Sequence, residues 1–249
     1  MDSNTQSEEE EEEESEEPST ENDEVLSAES LLDHDMTTIS EHHFGETEDG
    51  FSISIIENMK EDYGLYVWPC SIILAEYIWQ QKSRFSGANV VELGAGTSLP
   101  GLVAVKVGAD VTLTDDSNRS EVLDNMRRVC ELNDVKCKVM GLTWGVWDAP
   151  VFTLQPNIIL GADVLYDSTS FDDLFATVSF LLHKHSDSVF ITTYHNRSPG
   201  LNYCVSLKTL EKKSNVREAS TRDLGFFSRE QLVAVWGFKG LLQSFMGIT

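Results

Sequence analysis

The spacing of apolar residues along the chain changes repeatedly between the period of a strand and the period of a helix. FSISIIE, residues 51–57, alternates at its start and predicts a strand. VWPCSIILAEYIWQQK, residues 67–82, spaces its apolar side chains three and four apart, with Trp68 and Pro69 near its start. This pattern predicts a helix that has proline in its first turn.

Strand and helix patterns then alternate over the middle of the chain. Strand patterns cover residues 88–94, 109–115, 137–145, 156–167 and 187–197. Helix patterns cover residues 99–108, 120–134 and 171–185. This alternation predicts an α/β fold with a mostly parallel sheet, helices on both faces and ligands at the carboxyl ends of the strands. Beyond Arg197 the pattern weakens: SPGLNYCVSLKTLEKK, residues 198–213, fits a helix, and of the remaining residues only QLVAVWGF, residues 231–238, fits a strand or a short helix.

Negative charge is concentrated near the N-terminus. The 249-residue chain has a net charge of −24, and residues 1–49 hold 20 acids and neither Lys nor Arg. The other residues hold 22 acids and 18 bases. A segment with so much self-repulsion and so little to bury stays disordered. We therefore predict a disordered acidic tail over residues 1–49 and one folded domain over residues 50–249. The glutamate run is either a solvated spacer or a contact for basic partners such as histone tails.

Composition also argues against several classes of function. The folded part has no surplus of Lys and Arg, which disfavours direct nucleic-acid binding. Apolar runs stay shorter than the ~18 residues of a membrane span, and the acidic N-terminus is unlike a targeting peptide, so we expect a soluble intracellular protein. The four cysteines lack zinc or redox spacing and suit packing in a reduced compartment. His183, His185 and His195 lack a metal-ligand arrangement, so no metal is expected.

The stretch NVVELGAGTSLPG, residues 89–101, places an acid and two glycines at the end of a predicted strand. A dinucleotide fingerprint needs a third glycine, and Leu99 occupies that position. Glu92 lies two residues before Gly94, where an acid would repel a pyrophosphate. The loop therefore favours a ligand that carries a cation and no phosphate.

S-adenosylmethionine meets this description, because it has an amino group, a sulfonium and a ribose diol. Glu92 is expected near its cationic half, and the bare backbone of the glycines permits a close approach. The next strand ends at Asp115, which is expected to accept both ribose hydroxyls, with Asp116 as the alternative acid. The third strand ends at Trp144, an aromatic surface for adenine.

Five motifs between residues 64 and 167 carry a family resemblance: GLYVWP, VVELGAGTSLPG, LTD, LTWG and ADVLYD. Together they resemble the seven-strand S-adenosylmethionine-dependent methyltransferases, and within them the methyltransferase-like group called family 16. The resemblance covers residues 53–197. It implies a Rossmann-like, mostly parallel sheet of seven strands, and cofactor contacts at Trp68, Gly94, Ala95, Gly96, Asp115, Trp144 and Ala162. It also implies that ADVLYD supplies a catalytic acid-x-x-aromatic pair, Asp163 and Tyr166.

The resemblance implies a protein methyltransferase that acts on arginine or lysine side chains, with histones or chaperones as substrates in the cytoplasm and nucleus. Asp163 and Tyr166 would orient the acceptor nitrogen, and Tyr194 and Arg197 either line the substrate channel or are structural. Two alternatives remain open: a small-molecule methyltransferase, which the same fold permits, and an inactive cofactor-binding partner. The protein is expected to be a monomer or part of a complex, and the choice between lysine and arginine stays open.

Overall fold

The computed structural model describes residues 37–46, 49–58, 63–195 and 231–237. The predicted disorder of residues 1–36, the role of Arg197 and the helix pattern that follows it lie outside these described residues. Within them, the chain forms a β-hairpin and a larger α/β sheet.

The hairpin consists of β1 (Thr37–Phe44) and β2 (Phe51–Asn58). The strands are antiparallel, and their register pairs Thr37 with Asn58 and Phe44 with Phe51. The predicted strand at residues 51–57 is thus confirmed, but β1 lies inside the segment that was assigned to the disordered tail. The boundary at residue 49 is therefore wrong. Only Phe44 of β1 is buried, so the strand shows no apolar period that would reveal it in the sequence.

Two helices and a short turn connect the hairpin to the larger sheet. A 3₁₀ helix (Tyr63–Leu65) precedes α1 (Pro69–Gln80), which begins at the predicted proline, and α2 (Lys82–Phe85) follows. Proline suits the first turn because its missing N–H would have no partner there in any case.

The larger sheet alternates strands and helices, as the sequence pattern predicts. Its elements are β3 (Asn89–Glu92), α3 (Leu99–Lys106), β4 (Asp110–Asp115), α4 (Ser120–Leu132), β5 (Lys138–Gly141), α5 (Ala149–Thr153), β6 (Ile158–Ala162), α6 (Phe171–Leu182), β7 (Val189–His195) and β8 (Gln231–Gly237). A second 3₁₀ helix (Ser168–Ser170) leads into α6. The predicted strand or short helix at residues 231–238 is a strand.

The strand order is β5-β4-β3-β6-β7-β8. Neighbouring strands are parallel except for β7 and β8, which are antiparallel. The predicted Rossmann-like, mostly parallel fold is confirmed, and six of its strands lie in the described part of the chain. The order reverses at β3, which pairs with β4 on one side and β6 on the other, so a crevice opens at the carboxyl ends of these strands.

Apolar side chains pack on both faces of the sheet, as the helix pattern predicts. One core joins the hairpin, α1, α3 and α4 to one face, and the other joins α5 and α6 to the opposite face. Val90 belongs to the first core and Val91 to the second, because successive residues of a strand point to opposite faces. Among the described residues, no helix is long and apolar enough to cross a membrane.

Candidate functional site

A cavity of about 630 Å³ lies at the carboxyl ends of β3, β4, β5 and β6. Nine of the ten residues predicted for the site line its wall: Trp68, Gly94, Ala95, Gly96, Asp115, Trp144, Ala162, Asp163 and Tyr166. Positions that are up to about a hundred residues apart in sequence meet there because parallel strands bring all their carboxyl ends to one edge. The tenth residue, Glu92, is not part of the wall.

The loop after β3 needs glycine at two positions for different reasons. Gly94 has a φ of +59°, and a Cβ there would lie 3.1 Å from Cζ2 of Trp144 and 3.2 Å from Cγ1 of Val164. Gly96 has a φ of +50°, and its Cβ would lie 3.0 Å from the carbonyl oxygen of Gly64. Both positions therefore require glycine because a side chain would press on neighbouring residues of the cavity wall and the backbone is left-handed.

Asp115 lies at the end of β4, and its carboxylate binds backbone amides in this structure. The Gly96 amide donates to Oδ2 at 2.9 Å, and the Asp116 amide donates to Oδ1 at 2.9 Å. Burial raises the pKa of Asp115, although both of these hydrogen bonds oppose the shift. Each carboxylate oxygen has a second lone pair. The residue therefore holds the glycine loop and keeps acceptor capacity for ribose hydroxyls.

Asp116 also lines the cavity, so the structure brings both candidate ribose acids to the wall. Its Oδ1 accepts hydrogen bonds from the Thr143 hydroxyl at 2.6 Å and from the Asn118 amide at 3.1 Å. Partial burial disfavours ionisation, but these hydrogen bonds outweigh it and lower the pKa of Asp116. Asp116 is thus a carboxylate at neutral pH and ties the loop after β4 to the one after β5.

Glu92 corrects the sequence prediction, which placed its carboxylate near the cationic half of the cofactor. The side chain is fully buried, and its Oε2 accepts a hydrogen bond from the Gly101 amide in the first turn of α3 at 2.9 Å. Oε1 has no hydrogen-bond partner. Burial raises the pKa of Glu92 to about 8. Glu92 shares the face of Val90 and points into the core beneath α3, so it anchors the helix and does not contact the cavity.

The predicted catalytic pair follows β6. Asp163 is buried and has a φ of +55°, a conformation that costs a non-glycine residue about 1 kcal/mol or more. Its amide donates to the carbonyl oxygen of Thr193 at 2.8 Å, which fixes this backbone against β7. Tyr166 is 56% exposed, and burial of the remainder raises the pKa of its hydroxyl. The pair thus combines a fixed, buried acid with a protonated, accessible phenol on the same wall.

The cavity wall includes residues that the sequence analysis did not select. They are Gly64, Tyr66, Ser71, Thr97, Arg119, Leu142, Thr143, Val164, Ser170 and Asp173. Gly64 and Tyr66 belong to the GLYVWP motif, so the motif itself was the available indication. Tyr66 and Trp68 pack edge to face, with ring centroids 5.5 Å apart. Tyr194, which was predicted for the channel or the core, is buried in the core of the α5 and α6 face.

The wall combines aromatic surface with an excess of negative charge. The wall contains one guanidinium, that of Arg119, and four carboxyl groups, those of Asp115, Asp116, Asp163 and Asp173. Among the described residues, no cluster of His, Cys, Asp and Glu has the arrangement of a metal site. The site therefore offers hydrogen-bond acceptors, aromatic faces and a favourable potential for cationic groups.

The sequence is similar to proteins of known activity. A family model described as lysine methyltransferase matches residues 47–210. Histone-arginine methyltransferase METTL23 of Xenopus laevis is 42% identical over 156 residues, which cover 62% of this chain and 67% of that protein. METTL23 of Mus musculus is 44% identical over 138 residues, 55% of this chain and 54% of that protein. EEF1A lysine methyltransferase 3 of Mus musculus is 33% identical over 138 residues, 55% and 59% respectively.

These matches span about half to two thirds of the length of each relative. Among solved structures, a 16S rRNA methyltransferase of T. thermophilus superposes with a TM-score of 0.56 at 19% identity, covering 81% of this chain and 50% of that one. A methyltransferase of Agrobacterium tumefaciens superposes with a TM-score of 0.52 at 16% identity, covering 82% and 71%. At these identities the likeness establishes the fold.

Proposed function

The chain belongs to the lysine methyltransferase family, as its motifs predicted, and we propose that it transfers a methyl group from S-adenosylmethionine to a side-chain nitrogen of a protein. One observation carries the proposal. The glycine loop, the acid of β4, Trp144 and the Asp163–Tyr166 pair all meet in one cavity at the switch point of the sheet.

The residues of the wall fit this cofactor. The cavity volume of about 630 Å³ suits a ligand of its size. Gly94 and Gly96 let the loop backbone pack directly against Trp144, Val164 and Gly64, which also line the cavity. Asp115 and Asp116 offer acceptors for a diol, and Trp144 offers an aromatic face for a purine. Position 99, at the start of α3, is leucine where a dinucleotide fingerprint has its third glycine, which agrees with a ligand that has no pyrophosphate.

The cofactor supplies an electrophilic methyl group on a sulfonium, and the chain supplies position and charge. An acceptor nitrogen must approach in line with the methyl group and without its proton. Asp163, fixed by its bond to Thr193, favours the approach of a cationic side chain through its negative charge. Tyr166 offers a hydroxyl beside it for the nitrogen.

Arginine and lysine are both open as acceptors. Relatives with 42–44% identity are histone-arginine methyltransferases, and others with 33–36% identity are lysine methyltransferases of proteins. The excess of acids on the wall suits both arginine and lysine as acceptors. We favour an arginine of a histone or another basic protein, because the relatives with 42–44% identity are histone-arginine methyltransferases. Methylation of histones or chaperones in the nucleus and cytoplasm is part of this proposal.

Product analysis tests the proposal. The full chain is incubated with labelled S-adenosylmethionine and with histone, chaperone or whole-cell extract, and modified residues are identified by mass spectrometry. We expect methylated arginine or lysine that is lost in the Asp163→Asn variant. Label found only in small molecules would support a small-molecule methyltransferase. Cofactor binding without any product would support an inactive partner protein.

A further inference from the structure

The carboxylate of Glu57 joins the hairpin to the segment that enters the cavity. Its Oε1 accepts a hydrogen bond from the Ser40 hydroxyl of β1 at 2.6 Å, and its Oε2 accepts one from the Val67 amide at 2.9 Å. The side chain is 9% exposed. A buried carboxylate with both oxygens bonded to donors from separate parts of the chain is a rigid link between them.

The segment held by Glu57 forms part of the cavity wall. Gly64, Tyr66 and Trp68 all line the cavity, and Val67 lies between the two aromatic residues. The carbonyl oxygen of Gly64 approaches the glycine loop so closely that a Cβ on Gly96 would lie 3.0 Å from it. A shift of the Val67 backbone would therefore move both aromatic rings and the neighbour of the loop.

The hairpin is itself fixed to α4 by a second set of hydrogen bonds. Asn133 accepts from the Ser54 amide at 2.8 Å and donates to the Ser54 carbonyl at 2.7 Å. Asn125 donates to the Ile56 carbonyl at 3.0 Å. Glu57 thus extends from a strand that is hydrogen-bonded to α4 and the residue after it, and its carboxylate links that strand to the amide of Val67.

We propose that Glu57 is a positioning residue for the cofactor: it holds the Tyr66–Trp68 wall in place from the hairpin, although it does not line the cavity. The inference rests on the proposed function in one respect, namely that the ligand of the cavity is S-adenosylmethionine. No motif contains Glu57, and its role follows from the two hydrogen bonds alone.

Four variants separate the role of Glu57 from simple stability. Glu57→Ala removes both hydrogen bonds, and Glu57→Asp keeps the charge but shortens the reach. Glu57→Gln can keep both hydrogen bonds, because the glutamine carbonyl oxygen can accept from the Val67 amide and the glutamine amide nitrogen can donate to the Ser40 hydroxyl oxygen. Asn133→Ala is the matched control: it weakens the same hairpin through Ser54 and has no contact with the Tyr66–Trp68 wall.

Calorimetric titration of the full chain with S-adenosylhomocysteine measures the expected effect. Glu57→Ala should raise the dissociation constant about tenfold, Glu57→Asp severalfold, and Glu57→Gln less than about threefold. Asn133→Ala should lower the melting temperature and leave the dissociation constant unchanged. Wild-type affinity in folded Glu57→Ala or Glu57→Asp would overturn the proposal, as would an equal loss in Asn133→Ala.

Hydrogen exchange of the unliganded proteins gives a readout that does not need the cofactor. Glu57→Ala should accelerate exchange of the amides from residue 63 to residue 68, including Val67, whereas Asn133→Ala should accelerate exchange in β2. If the wild type binds no cofactor, the proposed function fails, and this exchange pattern still decides whether Glu57 positions the wall. Unchanged exchange of Val67 in Glu57→Ala would contradict the proposal in either case.

Discussion

The amide of Gly96 donates a hydrogen bond to the carboxylate of Asp115 across 2.9 Å, so the acid that ends β4 holds the glycine loop that follows β3. The two motifs that the sequence separates by 19 positions are one structural unit. Hydrogen bonds from two backbone amides fix the orientation of this carboxylate, and they therefore also fix the positions of the lone pairs that remain free to accept hydrogen bonds from a ligand. Changes at Asp115 therefore affect both the loop and the ligand.

The first prediction concerns the choice between the two ribose acids. Asp115→Ala should weaken S-adenosylmethionine binding by more than about tenfold, because a hydrogen bond to a charged group contributes roughly 1.5–3 kcal/mol and the loop loses its anchor as well. Asp116→Ala is the matched control and should weaken binding less. Both are measured by calorimetric titration. A larger loss for Asp116→Ala would assign the ribose to Asp116.

The second prediction concerns steric space at the glycine loop. Gly94→Ala should weaken cofactor binding, because the new methyl group would lie 3.1 Å from Trp144 and 3.2 Å from Val164 and the backbone is left-handed. Gly87→Ala is the control: Gly87 has a φ of +74°, and nothing lies within 4 Å of its Cβ position. It should cost about 1 kcal/mol of stability from backbone strain alone and leave binding intact. Equal losses of cofactor affinity in both variants would show that backbone strain, and not the contact of the new methyl group with Trp144 and Val164, causes the loss.

The sequence predicted the ends of strands better than the direction of side chains within them. Asp115, Trp144 and Asp163 lie at or beyond the carboxyl ends of strands, and all three reach the cavity. Glu92 is still inside β3, where alternation turns it into the core with Val90, so its prediction failed.

Two other features of the structure, strand β1 and two charged residues of the cavity wall, could not be predicted from the sequence. Five of the eight residues of β1 are exposed and only one is buried, so the strand forms because it pairs with β2 and not because of an apolar pattern of its own. Arg119 and Asp173 enter the wall from the starts of helices that the topology brings together. Such contacts depend on the packing of whole elements, which short motifs do not encode.

The third prediction concerns the limit of the acidic tail. Deletion of residues 1–35 should leave the melting temperature and cofactor binding unchanged. Deletion of residues 1–49 should destabilise the protein, because it also removes β1 with Ser40 and the buried Phe44, and loss of a buried Phe costs about 3–5 kcal/mol. Thermal melts of the two truncated proteins make the comparison. Equal melting temperatures would show that β1 contributes nothing to the fold.

The fourth prediction is a pH dependence that arises from Glu92. Its pKa is raised to about 8 by burial, above its value in the unfolded chain. The folded state therefore binds one more proton between about pH 4.5 and pH 8, and stability falls as pH rises through this range. Relative to Glu92→Gln, the wild type should lose a few kcal/mol between pH 5 and pH 8, with about 1.4 kcal/mol per pH unit as the upper limit.

Denaturant unfolding of both proteins at several pH values measures this difference. The pKa of Asp115 is also raised by burial, and it contributes a loss of the same sign in both proteins. Because the charge of Asp115 also raises the pKa of Glu92, the difference between the two proteins includes this coupling. Parallel stability curves for wild type and Glu92→Gln would mean that Glu92 is ionised in the folded protein at neutral pH.

The last prediction separates binding from chemistry at the acid-x-x-aromatic pair. Asp163→Asn keeps the shape of the side chain and the backbone bond to Thr193 but removes the charge that favours a cationic acceptor. Cofactor affinity should therefore remain close to normal, while turnover at saturating cofactor should fall by about a hundredfold, the size of loss found when one positioned electrostatic group is removed. Tyr166→Phe should reduce turnover less, because Tyr166 is 56% exposed and water can replace its hydroxyl. Single-turnover rates with labelled cofactor measure both effects, and wild-type turnover in Asp163→Asn would assign Asp163 a structural role.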